Sequence, residues 1–284
     1  MTVAKCLASL SEGMDRSASD KARILPHVKP GRILDIGCGN GAVLDLLSGA
    51  FPTSTVEGVD YDARMLCRAL DRPYPYQNVS VRRGDVNGFE DWPCRYDTIV
   101  LCSCLHEAIP VRDAWNRSDY GCAMVANIAT RLLNPGGRLI VRDGVRPVSR
   151  KVRLSFPNPS VAWDWQLYAR TYKAFPVSWS WISDPGEKGE VLTDSIAANE
   201  FLTKYIYAGT PNWAHEMTEA YGWTTAERLG DTLTRDGLTV IAEETYTVPY
   251  LADRWASDVV VRDWVGHAPV KIDSTMLVVT EKRA

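Results

Sequence analysis

The sequence predicts an α/β fold: a parallel sheet with helices on both faces, plus an aromatic-rich cap inserted after the fifth strand. Three observations predict it. From Arg32 onward, short apolar runs alternate with segments of helical spacing, the pattern that right-handed β-α-β crossovers produce. A cluster of glycines sits where the first such run meets the helix after it. The alternation then stops at an aromatic, proline-punctuated stretch, roughly Pro147 to Trp223, and resumes beyond it.

Taken in order, residues 1–30 read as one or two polar helical segments ending near Pro26 and Pro30. RILDIG is the first strand, stopped by glycine, and GAVLDLLSGAF has helical spacing. STVEGVD and VSVRRGD are the second and third strands, separated by the helical DARMLCRAL. YDTIVLCSCL, rich in β-branched and apolar residues, is the fourth. Residues 116–133 read as a helix broken at Asn134-Pro135-Gly136-Gly137, and GRLIVRDGV is the fifth strand. Within the aromatic stretch, residues 194–207 and part of 162–174 have helical spacing. TTAERLGDTLTRDG is a helix with Thr224 or Thr225 as N-cap and Gly237 as its stop. LTVIAEETYTV and STMLVVTEKR are two more strands, and residues 249–273 between them are too long for a tight hairpin.

Composition narrows the function. A chain of 284 residues suits one domain with an elaborated cap. A formal net charge of −3 provides no global basic field, which counts against nucleic acid as substrate. The seven cysteines are irregularly spaced without a CxxC pair, so reduced thiols in a cytoplasmic protein are expected, and no metal site. The N-terminus has no long apolar signal-like run, and the longest apolar stretch, near residues 98–105, is too short to cross a bilayer. No membrane association is expected.

The chemistry concentrates at Asp35-Ile36-Gly37-Cys38-Gly39-Asn40-Gly41. Glycines let a backbone turn sharply and approach a ligand closely, and the following helix presents free N–H groups. In an open α/β sheet, ligands bind beyond the carboxyl ends of the strands, where this loop lies. The second strand ends in Asp60, 19 residues past Gly41, near the spacing at which a carboxylate accepts ribose hydroxyls. The third ends near Asp85, a candidate acceptor for an exocyclic adenine amine. A dinucleotide site is the near rival, since Ala42 satisfies the last place of its fingerprint. Charge discriminates: a carboxylate at Asp35 would repel a pyrophosphate and attract an ammonium.

On these residues, 31–144 resemble the core of the class I S-adenosylmethionine (SAM)-dependent methyltransferases. LDIGCGNG resembles the first motif of that family, EGVDYD its acidic second-strand end and RRGDV its adenine-side motif. YDTIVLCSCLHEA resembles the fourth strand and LLNPGGRLIV the turn into the fifth. The resemblance implies a seven-stranded sheet whose last strand, TMLVVTEKR, runs antiparallel. It also implies SAM as cofactor. Gly37 and Gly39 would line its methionine part, and Asp35 would hold its amino group. Asp60 would take the ribose and Asp85 the adenine amine, with Tyr61 and Val86 flanking the ring. The expected division is an N-terminal helical lid over 1–30, the Rossmann-like SAM-binding core over 31–147, a cap and substrate insertion over 148–223, and completion of the core sheet over 224–284.

On the substrate side, Ser103-Cys104-Leu105-His106-Glu107 ends the fourth strand, close to the transferred group. Ser103 is expected on the cofactor side. His106 suits a general base, although a histidine that only orients the cofactor explains the position equally well. Cys104 is an improbable nucleophile, because direct transfer needs no covalent enzyme intermediate. Arg142, Asp143 and Arg146 read first as a polar cluster paired within the protein. Most aromatic residues of the cap must form its own small core. Tyr168 and Tyr172, spaced i, i+4, are the first candidates for an aromatic box over a sulfonium.

The sequence therefore reads as a SAM-dependent transferase acting on a small molecule, foremost a methyltransferase of specialised metabolism, with a homodimer left open. The alternative is chemistry on the aminocarboxypropyl arm of SAM, by transfer or by cyclisation to azetidine-2-carboxylate with release of methylthioadenosine. A non-catalytic binder and an RNA methyltransferase are weaker readings.

Overall fold

A computed structural model describes residues 13, 15, 17–92, 95–109, 117–186 and 189–283. Residues 1–12, 14 and 16 of the expected lid lie outside them. The described chain opens with helix α1 (Ala18–Lys21), which runs into a 3-10 turn over Ala22–His27.

Seven strands form the main sheet: β1 (Arg32–Ile36), β2 (Thr55–Asp60), β3 (Val79–Arg83), β4 (Tyr96–Cys102), β5 (Leu133–Gly144), β9 (Leu238–Tyr246) and β11 (Thr275–Lys282). Their order is β3-β2-β1-β4-β5-β11-β9. Strands β1 to β5 pair in parallel, and β11 runs antiparallel to both β5 and β9, as expected. The order reverses at β1 and β4, so the crevice at their carboxyl ends is the natural ligand site.

The helices flanking the sheet are α2 (Ala42–Ala50), α3 (Ala63–Leu70), α5 (Arg117–Leu132) and α9 (Ala226–Arg235); α4 (Leu105–Ala108) is a single turn after β4. Local chemistry sets their ends. Asp62 caps α3 by accepting from the Arg64 N–H at 2.8 Å, and Thr225 caps α9 by accepting from the Arg228 N–H at 3.1 Å. Gly237 ends α9 at φ 88°, a conformation that favours glycine. Strand alternation then builds two cores. Leu34, Ile36, Leu139 and Val141 pack on one face with α5 and α9; Ile33, Val100, Ile140 and Leu277 pack on the other with α2 and Ile24. The Asn134-Pro135-Gly136-Gly137 turn does interrupt pairing: the β4–β5 register jumps between the Tyr96–Leu133 and Thr98–Arg138 pairs.

The region after β5 contains structure the sequence reading did not anticipate. Strands β6 (Lys151–Ser155), β7 (Trp179–Ser183), β8 (Glu190–Asp194) and β10 (Val260–Asp263) make a second, antiparallel sheet in the order β10-β6-β8-β7. Its helices are α6 (Pro159–Thr171), α7 (Ser195–Lys204) and the short α8 (Trp213–Glu216). Strand β10 lies outside the expected 148–223 range. It is supplied by the long joint before β11, which also forms α10 (Pro249–Asp258). These strands are short and mix aromatic with polar residues, which masks the alternation that marks a strand.

Trp165, Tyr168, Phe201 and Tyr205 form the heart of this second core, with Trp165 and Tyr168 fully buried. The Tyr168 ring packs on Trp165, Tyr172 and Phe201, and its hydroxyl donates to the Ala197 carbonyl at 3.2 Å. Full burial leaves it no open face for a ligand, so its position is that of a packing residue rather than a sulfonium box. We expect Trp165→Ala to cost about 3–5 kcal/mol through the cavity it leaves. Tyr168→Phe should cost about 1 kcal/mol, the worth of one hydrogen bond. Urea unfolding measures both; a neutral Trp165→Ala would contradict this packing.

Candidate active site

The loop after β1 is shaped by what lies against it. Gly37 has φ 73°, and a Cβ there would stand 2.4 Å from the Cys104 Cβ, so only glycine fits. The Gly37 and Cys38 N–H groups both donate to the Val59 carbonyl, at 2.8 and 3.1 Å, tying the loop to β2. Gly39, at φ 53°, donates its N–H to the Asp60 Oδ2 at 2.8 Å. The other Asp60 oxygen accepts from the Asp62 N–H at 2.9 Å. Asp60 is thus buried and fixed at the rim of the loop, with lone pairs left for further donors.

Asp35 is the most informative residue. It is 1% exposed, and neither carboxylate oxygen has a hydrogen-bond partner among the described residues. Burial pushes its pKa up to about 8, against the attraction of Lys21 and with added repulsion from Asp60. A buried carboxylate without donors is costly and calls for a partner. An amino group reaching into the loop would supply one, so this donor-starved carboxylate fits the ammonium of SAM. A diphosphate would meet the same carboxylate unfavourably.

The segment before β1 closes one side. Asp20 pairs with Arg142, which also donates to the Tyr246 hydroxyl at 3.0 Å and to Ser103 Oγ at 2.7 Å. Asp15 pairs with Arg72 and accepts from Asn40 Nδ2 at 3.3 Å. Lys21 is buried close to Asp35. Met14 and Arg16, on either side of Asp15, lie outside the described residues.

On the adenine side, Asp85 is exposed and caps the 3-10 turn Val86–Asp91, accepting from the Asn87 N–H at 2.9 Å. Tyr61 is 61% exposed, while Val86 is half-buried against the core. These residues follow β2 and β3, as a ligand laid across the strand ends would require.

The other side of the crevice centres on a dyad that the sequence reading did not identify. The His106 Nδ1 and Asp143 Oδ1 are 2.7 Å apart. Asp143 also accepts from the Cys104, Leu105 and Gly144 N–H groups at 3.0, 2.7 and 2.7 Å. So many donors hold it as an anion, below the usual carboxylate range despite full burial. The imidazole must then carry its proton on Nδ1, which leaves Nε2 as the atom able to accept another. Burial opposes charge on His106. Asp143 outweighs it, with help from Glu107 and Glu219, and raises the pKa to about 9.

Arg142 and Asp143 therefore point to opposite sides of the sheet, as neighbours on a strand must. The sequence placed both in one polar cluster. Strand β4 ends at Cys102, and Ser103 turns the chain at φ 57° before α4 begins. Burial and nearby carboxylates raise the Cys104 thiol well above its ordinary pKa, which removes it as a nucleophile.

The wall facing His106 comes from α8 and the segment that follows it. His215 Nε2 and Glu219 Oε1 are 2.9 Å apart, and the Tyr221 ring meets the His106 ring at 4.8 Å between centroids, inclined 62°. Glu107 is open to solvent yet hemmed in by protein; burial, Glu219 and Asp60 raise its pKa. Arg117, also missed from sequence, is buried and donates to the His106, Ala220 and Ile109 carbonyls at 2.7, 2.7 and 3.3 Å, joining α4 to this wall. Tyr172 stands behind the wall: its hydroxyl donates to Glu200 at 3.1 Å, and it is 8% exposed. No cluster of metal-ligating side chains occurs among the described residues.

Comparison with known proteins agrees with this geometry. Residues 34–139 match the methyltransferase domain family. The chain is 30% identical over 139 residues to 27-O-demethylrifamycin SV methyltransferase of Amycolatopsis mediterranei, covering 48% of this chain and 47% of that protein. It is 40% identical over 57 residues to trans-aconitate 2-methyltransferase of Rhodopseudomonas palustris, covering 20% and 22%. The chain thus spans about half, or less, of these curated relatives. A SAM-dependent methyltransferase from Mesorhizobium loti superposes with a TM-score of 0.54 at 18% identity, covering 95% of this chain and all of that one, and so shares the fold. Residues 34–139 thus form a methyltransferase-family domain, set in a seven-stranded sheet of Rossmann-like, class I order.

Proposed function

We propose that the chain methylates a small-molecule acceptor, with SAM held by the β1 loop and His106 Nε2 taking the acceptor's proton. The donor-starved Asp35 carboxylate behind the glycine loop carries the cofactor half of this reading. In the proposal, Asp35 accepts from the cofactor's amino group, Gly37 and Gly39 line its methionine part, and Asp60 takes the ribose. Asp85, Tyr61 and Val86 hold the adenine, and Ser103 shapes the turn beside the methionine part. When bound, SAM supplies an electrophilic methyl group on a sulfonium. The protein's part is to orient the acceptor, remove its proton and keep water out. Residues 148–223 would serve as the cap that selects the acceptor. The rifamycin-type relative supports a place in specialised metabolism. No helix among the described residues is long and apolar enough to cross a membrane, which is compatible with a cytoplasmic enzyme.

Binding tests the cofactor half. Equilibrium dialysis with labelled SAM should show uptake by the intact chain. Asp60→Ala should weaken it roughly 10- to 100-fold, the worth of hydrogen bonds to a charged group. Undiminished uptake by both Asp60→Ala and Asp35→Asn would reject the site. In a panel of hydroxyl and amine acceptors, S-adenosylhomocysteine should form only when an acceptor is present.

Acid–base behaviour tests the other half. With the His106 pKa raised to about 9, the neutral imidazole gains population only as pH rises toward that value. Turnover should therefore climb with pH, with an inflection well above the ordinary histidine value of about 6.5. Asp143→Asn should move that inflection to lower pH and slow turnover about 10²- to 10⁴-fold. The same shift affects stability. Because the folded pKa is raised, the pair's contribution is complete below about 6.5 and is lost as pH rises through about 9. Thermal melts of the wild type should fall over that window more steeply than those of His106→Gln; parallel melts would contradict the pairing.

A further inference from the structure

The wall facing His106 contains an unusual investment in buried charge. Glu200 and Lys204 are fully buried on α7, with the Lys204 Nζ 3.3 Å from a Glu200 oxygen. Glu216, at the end of α8, is 3% exposed. Burying an ion pair is weak evidence of stabilisation, since apolar side chains of similar volume often serve as well. Apart from the Tyr172 hydroxyl, which Glu200 also takes, these charges converge on Tyr221 and the residue after it. Glu200 accepts from the Tyr221 N–H at 3.0 Å and from the Gly222 N–H at 2.7 Å. Glu216 accepts from the Tyr221 hydroxyl. The Lys204 ammonium sits 3.1 Å from the centroid of the Tyr221 ring. On the core side, a Cβ on Gly144 would stand 2.4 Å from the Tyr221 carbonyl oxygen, so the end of β5 abuts the same residue.

Tyr221 is thus fixed at its amide, carbonyl, hydroxyl and ring. A residue that only filled space would need none of this. So anchored, the ring meets His106 at 4.8 Å between centroids. We propose that Tyr221, anchored by Glu200 and Glu216, is the positioning residue for the His106 imidazole, and that the Lys204 cation on the Tyr221 ring couples the cap to the proton-accepting group. This rests on the reading of His106 as that group. Asp143 holds the imidazole at Nδ1; Tyr221 supplies the second constraint, without which the ring could still swing about that one bond. Nε2 is left facing the acceptor.

The electrostatics provide a test with a sign. The groups facing His106 are Asp143 from β5, Glu107 from its own helix, and Glu219 and Tyr221 from the segment after α8; Arg117 contacts only its backbone carbonyl. An aromatic ring favours a neighbouring cation, so removing the Tyr221 ring disfavours the imidazolium. Removing the Lys204 charge does the opposite, because a cation no longer competes for the same ring. A packing defect alone would move both variants the same way.

The experiment is an NMR pH titration of the full chain with labelled histidine, the His106 signal being assigned by its loss in His106→Gln. Tyr221→Phe should titrate like the wild type. Tyr221→Met, which fills the volume without an aromatic face, should shift the His106 midpoint down by roughly half a pH unit to one unit. Lys204→Gln, which removes the charge while keeping most of the side-chain length, should shift it up. SAM uptake should be unchanged in all three. Shifts of the same sign in the last two variants, no shift in either, or a Tyr221→Phe curve matching Tyr221→Met would overturn the proposal. The titration needs no acceptor, so it is separable from the function. If it behaves as expected while His106→Gln keeps full turnover, the base assignment fails and the positioning stands.

Discussion

Two consecutive residues at the end of β5 hold the two sides of the crevice. Alternation along a strand sends the Arg142 side chain to one face of the sheet and Asp143 to the other. Arg142 captures Asp20, Tyr246 and Ser103, and so fixes the N-terminal segment beside the β1 loop. Asp143 captures His106 and the three N–H groups around it, and so fixes the opposite rim. Because β5 lies inside the sheet between β4 and β11, its register is set by pairing on both edges. A slip by one residue would exchange the two faces and dismantle both rims at once.

The buried charges fall into three kinds, and the kind indicates the role. Arg142 and Asp20 neutralise each other within the chain, as a structural pair must. Asp143 is satisfied by hydrogen bonds and one imidazole, so it stays ionised and orients its partner. Asp35 is buried like Asp143 but has no donors, and its pKa moves the opposite way. Two aspartates at the ends of nearby strands thus behave differently because one is surrounded by N–H groups and the other is not. The unsatisfied one is where a ligand brings the missing donor.

The core was legible because its elements repeat a simple rule. Strands β1, β4 and β5 contain apolar runs, the helices after β1 and β2 show their own spacing, and glycine or aspartate marks the ends of β1, β2, β3 and β5. Local capping at Asp62 and Thr225 confirms it at single-residue scale. The cap was not legible in the same way. Its strands are about five residues long with polar and aromatic residues intermixed, and β10 arrives from a hundred residues downstream of β6. Tyr168 and Tyr172 do touch, but α6 ends at Thr171, Tyr172 is its extended cap, and both rings turn into the cap's own core. The His106–Asp143 pair was invisible for another reason: its partners are 37 positions apart and meet only through the β4–β5 pairing.

This contrast bears on how such a protein changes its acceptor. The cofactor side depends on sheet register and on a loop that tolerates only glycine at Gly37, so few substitutions there are compatible with folding. The cap has a core of its own, built around Trp165 and Phe201, and reaches the crevice through the short segment from His215 to Tyr221. Residues in that segment can alter what His106 faces without disturbing either core, provided Tyr221 keeps its anchors. Glu219 and His215 touch neither the glycine loop nor the Asp143 carboxylate through any hydrogen bond among the described residues. On the proposed reading, they are therefore where the acceptor's charge and shape would be read, and where substitution would alter the choice of acceptor at least cost to the fold.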